Sequence, residues 1–436
     1  MTLISSFDGT ETAAGELARP ARGRLLEALT STGPVIPRGS GLSYCNASAG
    51  AGVRSVSSRR LDRILDVDAG AGTAEVESGV RVGELTDRAL ARGWLPPVLP
   101  GHPAITLGGC VGFNVHGKDH RRGGNFIHCV EALRLLHPDH GEIECSRSKE
   151  PELFELSVGG FGLTGFVTRV KLRLQPLPGA ALRRERLPAR NLLDAVEIME
   201  ARRDAAALYS WNDLNRRGDA FGRGVVYAEQ FEDPGRSPEP GSYRELDGPL
   251  RALVPWSILG RWNAAAFTRG YGILERLRPG STRVALPDAL FPIHGKEIYF
   301  RLFGRRGLRE YQMLLPRAAW EEAVGAVERL LVRHRAPVTL GSLKLFAGET
   351  TLLNFCGTGV CLTLDLPARA ESESLFAALD ELLIELGGIV NLSKDGRIGE
   401  ALVRRVFPEY EIFRERLHRF DPKRRFESSL RQRIGV

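Results

Sequence analysis

No uncharged apolar stretch of about 18 residues occurs in this 436-residue chain, which excludes a conventional membrane-spanning helix. The opening Met1-Thr-Leu-Ile-Ser-Ser-Phe-Asp8 lacks a basic region followed by an apolar run, so no secretory signal is read and a cytosolic location is expected. Cysteine is sparse: six residues, at 45, 110, 129, 145, 356 and 361, with no Cys-x-x-Cys and no His/Cys group at zinc spacing. Reduced structural thiols and no bound metal are expected. No basic helix with interleaved aromatics appears, which argues against nucleic acid. The excess of 60 Lys and Arg over 53 Asp and Glu gives a modest +7. The pairs Arg59-Arg60, Arg121-Arg122, Arg305-Arg306 and Arg424-Arg425 read as solvated surface. The alternative is attraction of a phosphorylated substrate or peripheral contact with an anionic membrane. The length suits two domains.

What the chain does contain is glycine placed where backbone must approach something. In Pro100-Gly-His-Pro-Ala-Ile-Thr106-Leu-Gly108-Gly109-Cys110-Val-Gly112-Phe-Asn114-Val-His116-Gly117-Lys118-Asp-His120, no charge precedes Lys118 and no helical apolar period is evident. Glycine exposes N–H groups to an anion or carbonyl, although such segments also make tight corners. Upstream, Arg38-Gly39-Ser40-Gly41-Leu42-Ser43-Tyr44 has the makings of an anion-binding nest with added hydroxyls. It lacks the third glycine and following helix of a dinucleotide fingerprint, and no Gly-Lys-Ser/Thr makes it a P-loop. Ser157-Val-Gly-Gly160-Phe-Gly162-Leu-Thr-Gly165-Phe-Val167 is a third cradle, feeding an alternating strand to Leu174. Between them, Ser55–Ser58, the apolar Leu61, Ile64 and Leu65, and Thr73–Val80 read as strand, helical turn and strand, and Val82–Leu95 as a helix stopped at Gly93.

After Leu174 the pattern changes. Residues 231 to 250 read as an exposed loop rich in Pro, Gly, Ser and Glu. Strands are expected at 309–316, 338–346 and 359–367, and helices at 320–335 and 373–386. That succession describes an antiparallel sheet with helices on one face. The overall expectation is an α+β protein of three parts: residues 1–178, a cap at 179–390, and a segment at 391–436 returning to the first part.

The order of the glycine segments resembles the PCMH-type FAD-binding domain of the vanillyl-alcohol oxidase superfamily, over about residues 20 to 178. Val115-His-Gly-Lys-Asp-His120, Lys394-Asp-Gly-Arg397 and Phe420-Asp-Pro-Lys-Arg-Arg-Phe-Glu-Ser428 extend the likeness toward the decaprenylphosphoryl-β-D-ribose 2′-oxidases. The resemblance implies that the three glycine segments hold FAD. Many relatives attach the flavin through a histidine where this chain has Leu42. Cys110 lies several residues before the second attachment position, so noncovalent FAD is expected. His116 is either a buried structural histidine or, as the resemblance implies, a group beside the flavin and the reacting carbon. Lys118 is read as holding the flavin pyrimidine carbonyls or balancing negative charge on the reduced flavin. Lys394 pairs with Asp395 at the surface or projects into the substrate site as proton acceptor or anchor. Lys344 and Gln312 are expected substrate contacts. Thr363, Glu310 and Cys361, the last on the same strand face as Thr363, are expected substrate contacts as well; Thr363 and Glu310 mark departures, since Thr363 replaces a reactive cysteine and Glu310 a neutral amide. The implied activity is oxidation of a secondary alcohol on a sugar-like ring, with an NAD(P)H-dependent reductase as the partner that would complete an epimerisation. The alternatives are an alditol or aldonolactone oxidase using O2, and a flavin-binding scaffold without catalysis.

Overall fold

The computed structural model describes residues 2–118 and 120–436, so Asp119 of the Lys-Asp-His motif lies outside the described residues. Two larger sheets come from the first part of the chain, beside a short antiparallel pair of Trp94–Leu95 with Gln175–Pro176. Strands β1 (Thr2–Ser5), β2 (Thr12–Ala18), β3 (Val35–Arg38) and β4 (Arg54–Ser57) form a sheet in the order β1-β2-β4-β3. Strands β5 (Ile64–Asp68), β6 (Thr73–Glu77), β7 (Val130–His137), β8 (Gly141–Ser146) and β9 (Phe166–Arg173) form an antiparallel sheet in the order β5-β6-β9-β7-β8. Helices α1 (Val82–Leu90) and α2 (Leu107–Gly112) contribute to the core of this second sheet through Val82, Leu85, Leu107, Cys110 and Val111.

Two local readings are corrected here. Ile64 and Leu65 open a strand, not a helical turn: an irregularity between Ile64 and Asp66 shifts the register, so the apolar spacing imitates a helix. The glycine-rich segment does contain a helix, α2. Thr106 caps it, its Oγ1 accepting from Gly109 N at 3.2 Å, and buried Leu107, Cys110 and Val111 supply the apolar side that the glycines obscured.

The third sheet has eight strands, all antiparallel: β10 (Ala181–Ala189), β11 (Ala207–Asp213), β12 (Arg223–Glu232), β13 (Ser281–Ala285), β14 (Leu308–Leu315), β15 (Leu340–Phe346), β16 (Gly359–Pro367) and β17 (Ile389–Val390). Their order is β13-β10-β12-β11-β15-β16-β14-β17. Alternation separates its two faces. Tyr311, Met313, Leu343, Leu345, Leu362 and Leu364 enter the large core with residues of helices α3 (Leu192–Ala201), α5 (Trp320–His334) and α6 (Ala370–Glu385). The opposite face presents Glu310, Gln312, Ser342, Lys344 and Thr363. Helix α4 (Arg261–Leu277) lies on that second face, with Tyr271 packed 4.7 Å from Trp211, so helices are not confined to one side. Residues 233–260 contain no helix or strand, in keeping with the loop composition.

The last segment returns to the first sheet. Val35 N donates to Arg425 O at 2.9 Å and Glu427 N to Val35 O at 2.9 Å, continuing the sheet beyond β3. Tyr44 N donates to Ser393 O at 3.1 Å, which ties the loop carrying Lys394 to the first glycine turn.

Candidate functional site

A cavity of about 510 Å³ lies between the glycine segments and the polar face of the third sheet. Its size falls within the range of about 300–1,000 Å³ usual for small-molecule sites. Of the expected positions, Arg38, Gly39, Ser40, Gly41, Leu42, Ser43, Tyr44, Pro100, Gly101, Thr106, Gly108, Gly109, Gly112, Asn114, His116, Gly117, Lys118, Gly162, Gly165 and Val167 line it from one side. Glu310, Gln312, Lys344, Thr363 and Lys394 line it from the other.

Four expected contacts do not line the cavity. Cys110 is fully buried on the core side of α2. Gly160 serves chain packing, since a Cβ there would meet Leu156 O at 2.0 Å. Cys361 is fully buried on β16 opposite Lys344, and burial pushes its thiol up to about 12. His120 stacks on Phe346 at 3.8 Å and accepts from Ala347 N through Nδ1 at 3.2 Å, leaving Nε2–H for Asn125 Oδ1. Burial lowers it to about 4, so this neutral ring fastens the glycine segment to the end of β15.

The glycine side fits a phosphate-bearing planar cofactor. The backbone amides of Ser40, Gly41, Leu42 and Ser43 find no acceptor among the described residues, so four successive donors are available to an anion. The Ser58 and Ser78 hydroxyls are buried without partners, and both residues line the cavity. Gly41, at φ +66°, lies under the Arg38 guanidinium, where a Cβ would approach Nη2 to 2.2 Å. Gly39 is equally constrained: a Cβ there would come 2.1 Å from Thr106 Oγ1. These glycines bring the first turn against the cap of α2 so that two segments distant in sequence share one surface.

His116 Nδ1 donates to Gly117 O at 3.1 Å, and its ring packs 4.9 Å from Phe346. Burial, with a contribution from Lys344, holds its pKa well below the usual range. The imidazole is therefore neutral near pH 7, with Nε2 an acceptor that has no partner among the described residues. Lys118 Nζ donates to Ala289 O, lies 3.9 Å from Glu229 Oε2 and sits over the Tyr209 ring at 5.2 Å. Burial lowers it to about 8, against the pull of Glu229.

The sheet side is a charge-balanced cluster. Glu310 on β14 pairs in register with Asp365 on β16. Two facing buried carboxyl groups do not both ionise easily. Burial and Glu310 push Asp365 well above the usual carboxylate range, while Tyr299 Oη donates to it at 3.0 Å. Asp365 thus keeps its proton, and Glu310 carries the single negative charge. Lys394 Nζ answers that charge at 3.2 Å from Glu310 Oε1 and sits 4.1 Å from the centre of the Tyr44 ring. The alternative pairing with Asp395 is overturned, since Asp395 is buried against Arg397 at 2.9 Å. Lys344, half-buried, has no hydrogen bond or ion pair among the described residues, and burial lowers its pKa. Gln312 is engaged at both ends: Nε2 donates to Thr363 Oγ1 at 3.0 Å, and Oε1 accepts from Asn391 Nδ2.

Sequence reasoning missed the aromatic wall of Tyr209, Trp211, Tyr227 and Tyr271, and the polar Asn391 and Ser393. Alternation along Leu208-Tyr-Ser-Trp211 puts Tyr209 and Trp211 on one face of a strand, but only the folded sheet decides that this face meets the cavity. Asp365 was passed over as well, because its importance lies in facing Glu310 across two strands.

Residues 24–146 match the family model described as FAD binding domain. The chain is 27% identical over 413 residues to decaprenylphosphoryl-beta-D-ribose oxidase of Mycolicibacterium smegmatis, covering 92% of this chain and 89% of that one. It is 30% identical over 384 residues to an uncharacterized protein in the mprA 5′ region of Streptomyces coelicolor, covering 82% of this chain and all of the relative. A shorter likeness, 35% over 137 residues, links it to L-galactono-1,4-lactone dehydrogenase 2 of Oryza sativa subsp. japonica, covering 31% of this chain and 23% of that protein. With these relatives, a nest of free amides and glycines at the contact points, the chain belongs to the PCMH-type FAD-binding oxidoreductases of the vanillyl-alcohol oxidase superfamily, with FAD as its cofactor and CH–OH groups as its targets.

Proposed function

We propose that this enzyme oxidises a secondary alcohol of a sugar-like molecule to the ketone. When bound, FAD supplies the acceptor for the hydride that leaves carbon. The observation that carries the reading is the Lys394–Glu310 pair on the cavity wall opposite the glycine cradle, backed by buried Asp365 in register with Glu310. In this reading Lys394 binds the reacting hydroxyl, and its proton passes through Lys394 to the Glu310 carboxylate. Neutral His116, with Nε2 open, orients the same hydroxyl or its neighbour. Asp365 keeps the cluster to one negative charge. Lys344, a cavity-lining cation with no hydrogen bond or ion pair among the described residues, suits an anionic substituent on the substrate, such as a phosphate. Arg38, Ser40 to Tyr44, Ser58, Ser78 and Lys118 are the residues we assign to holding FAD.

The relative named for decaprenylphosphoryl-beta-D-ribose supports a sugar carrying a lipid phosphate as one candidate, and the lactone dehydrogenase a free sugar acid derivative as another. Glu310 distinguishes this pocket by favouring a donor-rich substrate such as an amino or polyhydroxy sugar. A reductase acting on the ketone would complete an epimerisation. The test is anaerobic mixing of the FAD-loaded enzyme with nucleosides, phosphosugars, polyprenyl-phosphate sugars and amino sugars. Bleaching of the flavin absorbance by one class identifies the substrate. A panel that leaves the flavin oxidised throughout refutes the proposal and favours a binding protein without catalysis.

A further inference from the structure

Helix α4 carries an apolar side outward. Trp262, Phe267, Ile273, Leu274 and Leu277 are 82, 46, 56, 58 and 77% exposed, whereas Ala264, Thr268 and Glu275 on the other side are buried. A surface helix ordinarily shows the reverse, with its polar side in water. The loop just before it adds exposed Leu253, Trp256 and Ile258. Charge over the same stretch has one sign. Residues 249–285 contain six arginines and one acid, Glu275. That acid is buried and paired with Arg186 at 3.2 Å and Arg278 at 2.7 Å, so it offers nothing to the surface. Arg269 and Arg276 are exposed on α4 and make no hydrogen bond or ion pair among the described residues.

We propose that α4 and the loop before it dock this protein on an anionic bilayer surface. Large apolar side chains along one side of a helix, with arginines beside them, are the arrangement of a helix lying in the plane of a membrane interface. The apolar side enters the acyl boundary, and the arginines meet lipid phosphates. Arg269 and Arg276, which no acid among the described residues pairs, favour this occupant over a second copy of the chain, which would bring the same arginines against each other. Tyr271, on the inward side of α4, lines the cavity, so docking would set one cavity wall close to the bilayer. The inference rests on the exposed surface alone and is independent of the substrate.

The experiment is co-sedimentation of the FAD-loaded full chain with vesicles of phosphatidylglycerol and phosphatidylcholine, and with phosphatidylcholine alone. Binding is expected to the anionic vesicles and to weaken with added salt. Ile273→Glu with Leu277→Glu should lower the bound fraction at least about tenfold. Arg269→Ala and Arg276→Ala should each cost about fivefold. Because these positions are exposed, flavin content and circular dichroism should match the wild type, and the arginine variants provide a second test if the glutamates disturb folding. No sedimentation with anionic vesicles, or equal sedimentation of all variants, overturns the proposal. So does a dimer seen by analytical ultracentrifugation that Ile273→Glu with Leu277→Glu converts to monomer while the wild type ignores vesicles.

Discussion

Removing Lys394 should cost stability and activity together, and the two losses should separate in a double variant. The Lys394–Glu310 pair is 3.2 Å apart, with side chains 27% and 8% exposed. At an effective dielectric of about 20, two unit charges at that distance attract by roughly 5 kcal/mol. Desolvation cancels much of this in the intact pair, but truncating one partner leaves the other unpaired, a loss of about 3–5 kcal/mol when fully buried. Since Lys394 is partly open to the cavity, Lys394→Ala should lose roughly 2–3 kcal/mol at neutral pH. Lys394→Ala with Glu310→Gln should recover most of it, because no charge is then left unpaired. Urea denaturation of the four proteins reads this coupling directly. Flavin reduction should behave differently: about a hundredfold slower in Lys394→Ala and not restored in the double variant. Lys394→Arg should rescue stability better than rate, since a guanidinium does not accept a proton near neutrality. Stability costs that simply add in the double variant would refute the pair as an energetic unit. A wild-type reduction rate in Lys394→Ala would refute its contact with the reacting hydroxyl.

Acid precipitation should release all of the flavin as free FAD into the supernatant, because Leu42 offers no nucleophile and Cys110 is buried away from the cavity; flavin remaining with the denatured protein on a gel would refute this. Gly39→Val should abolish flavin binding, since its Cβ would meet Thr106 Oγ1 at 2.1 Å, whereas Arg424→Ala, which removes contacts with Glu427 and the Val436 carbonyl away from the cavity, should leave flavin content unchanged when measured by absorbance. Asp8 is raised to about 6 by burial, so its contribution to stability is full below about pH 4 and is lost as pH rises through 6. Asp8→Asn should therefore flatten the fall in stability between those pH values, a change of up to roughly 3 kcal/mol by denaturant titration. An unchanged slope in Asp8→Asn would assign that titration elsewhere.

Local chemistry determined the elements whose meaning is complete within a few residues. Arg38-Gly-Ser-Gly-Leu-Ser-Tyr44 makes an anion nest because consecutive amides in a glycine turn point the same way whatever surrounds them. Alternation in Leu343-Lys-Leu-Phe346 likewise set Lys344 on the face opposite Leu343 and Leu345. The helices after Trp320 and before Gly387 were visible because their apolar period runs over several turns. Glycine hid α2, since three glycines remove the side chains by which a helix is recognised. Strand pairing was beyond reach for a different reason. Glu310 and Asp365 lie on strands separated by about fifty residues, and only register brings two carboxyls face to face, decides which keeps its proton, and turns Lys394 away from Asp395 toward Glu310. The same holds for α4, whose apolar side would pass for a core-facing stripe in the sequence. Tertiary structure turns that side outward, because Tyr271 and Trp211 already occupy the contact with the sheet.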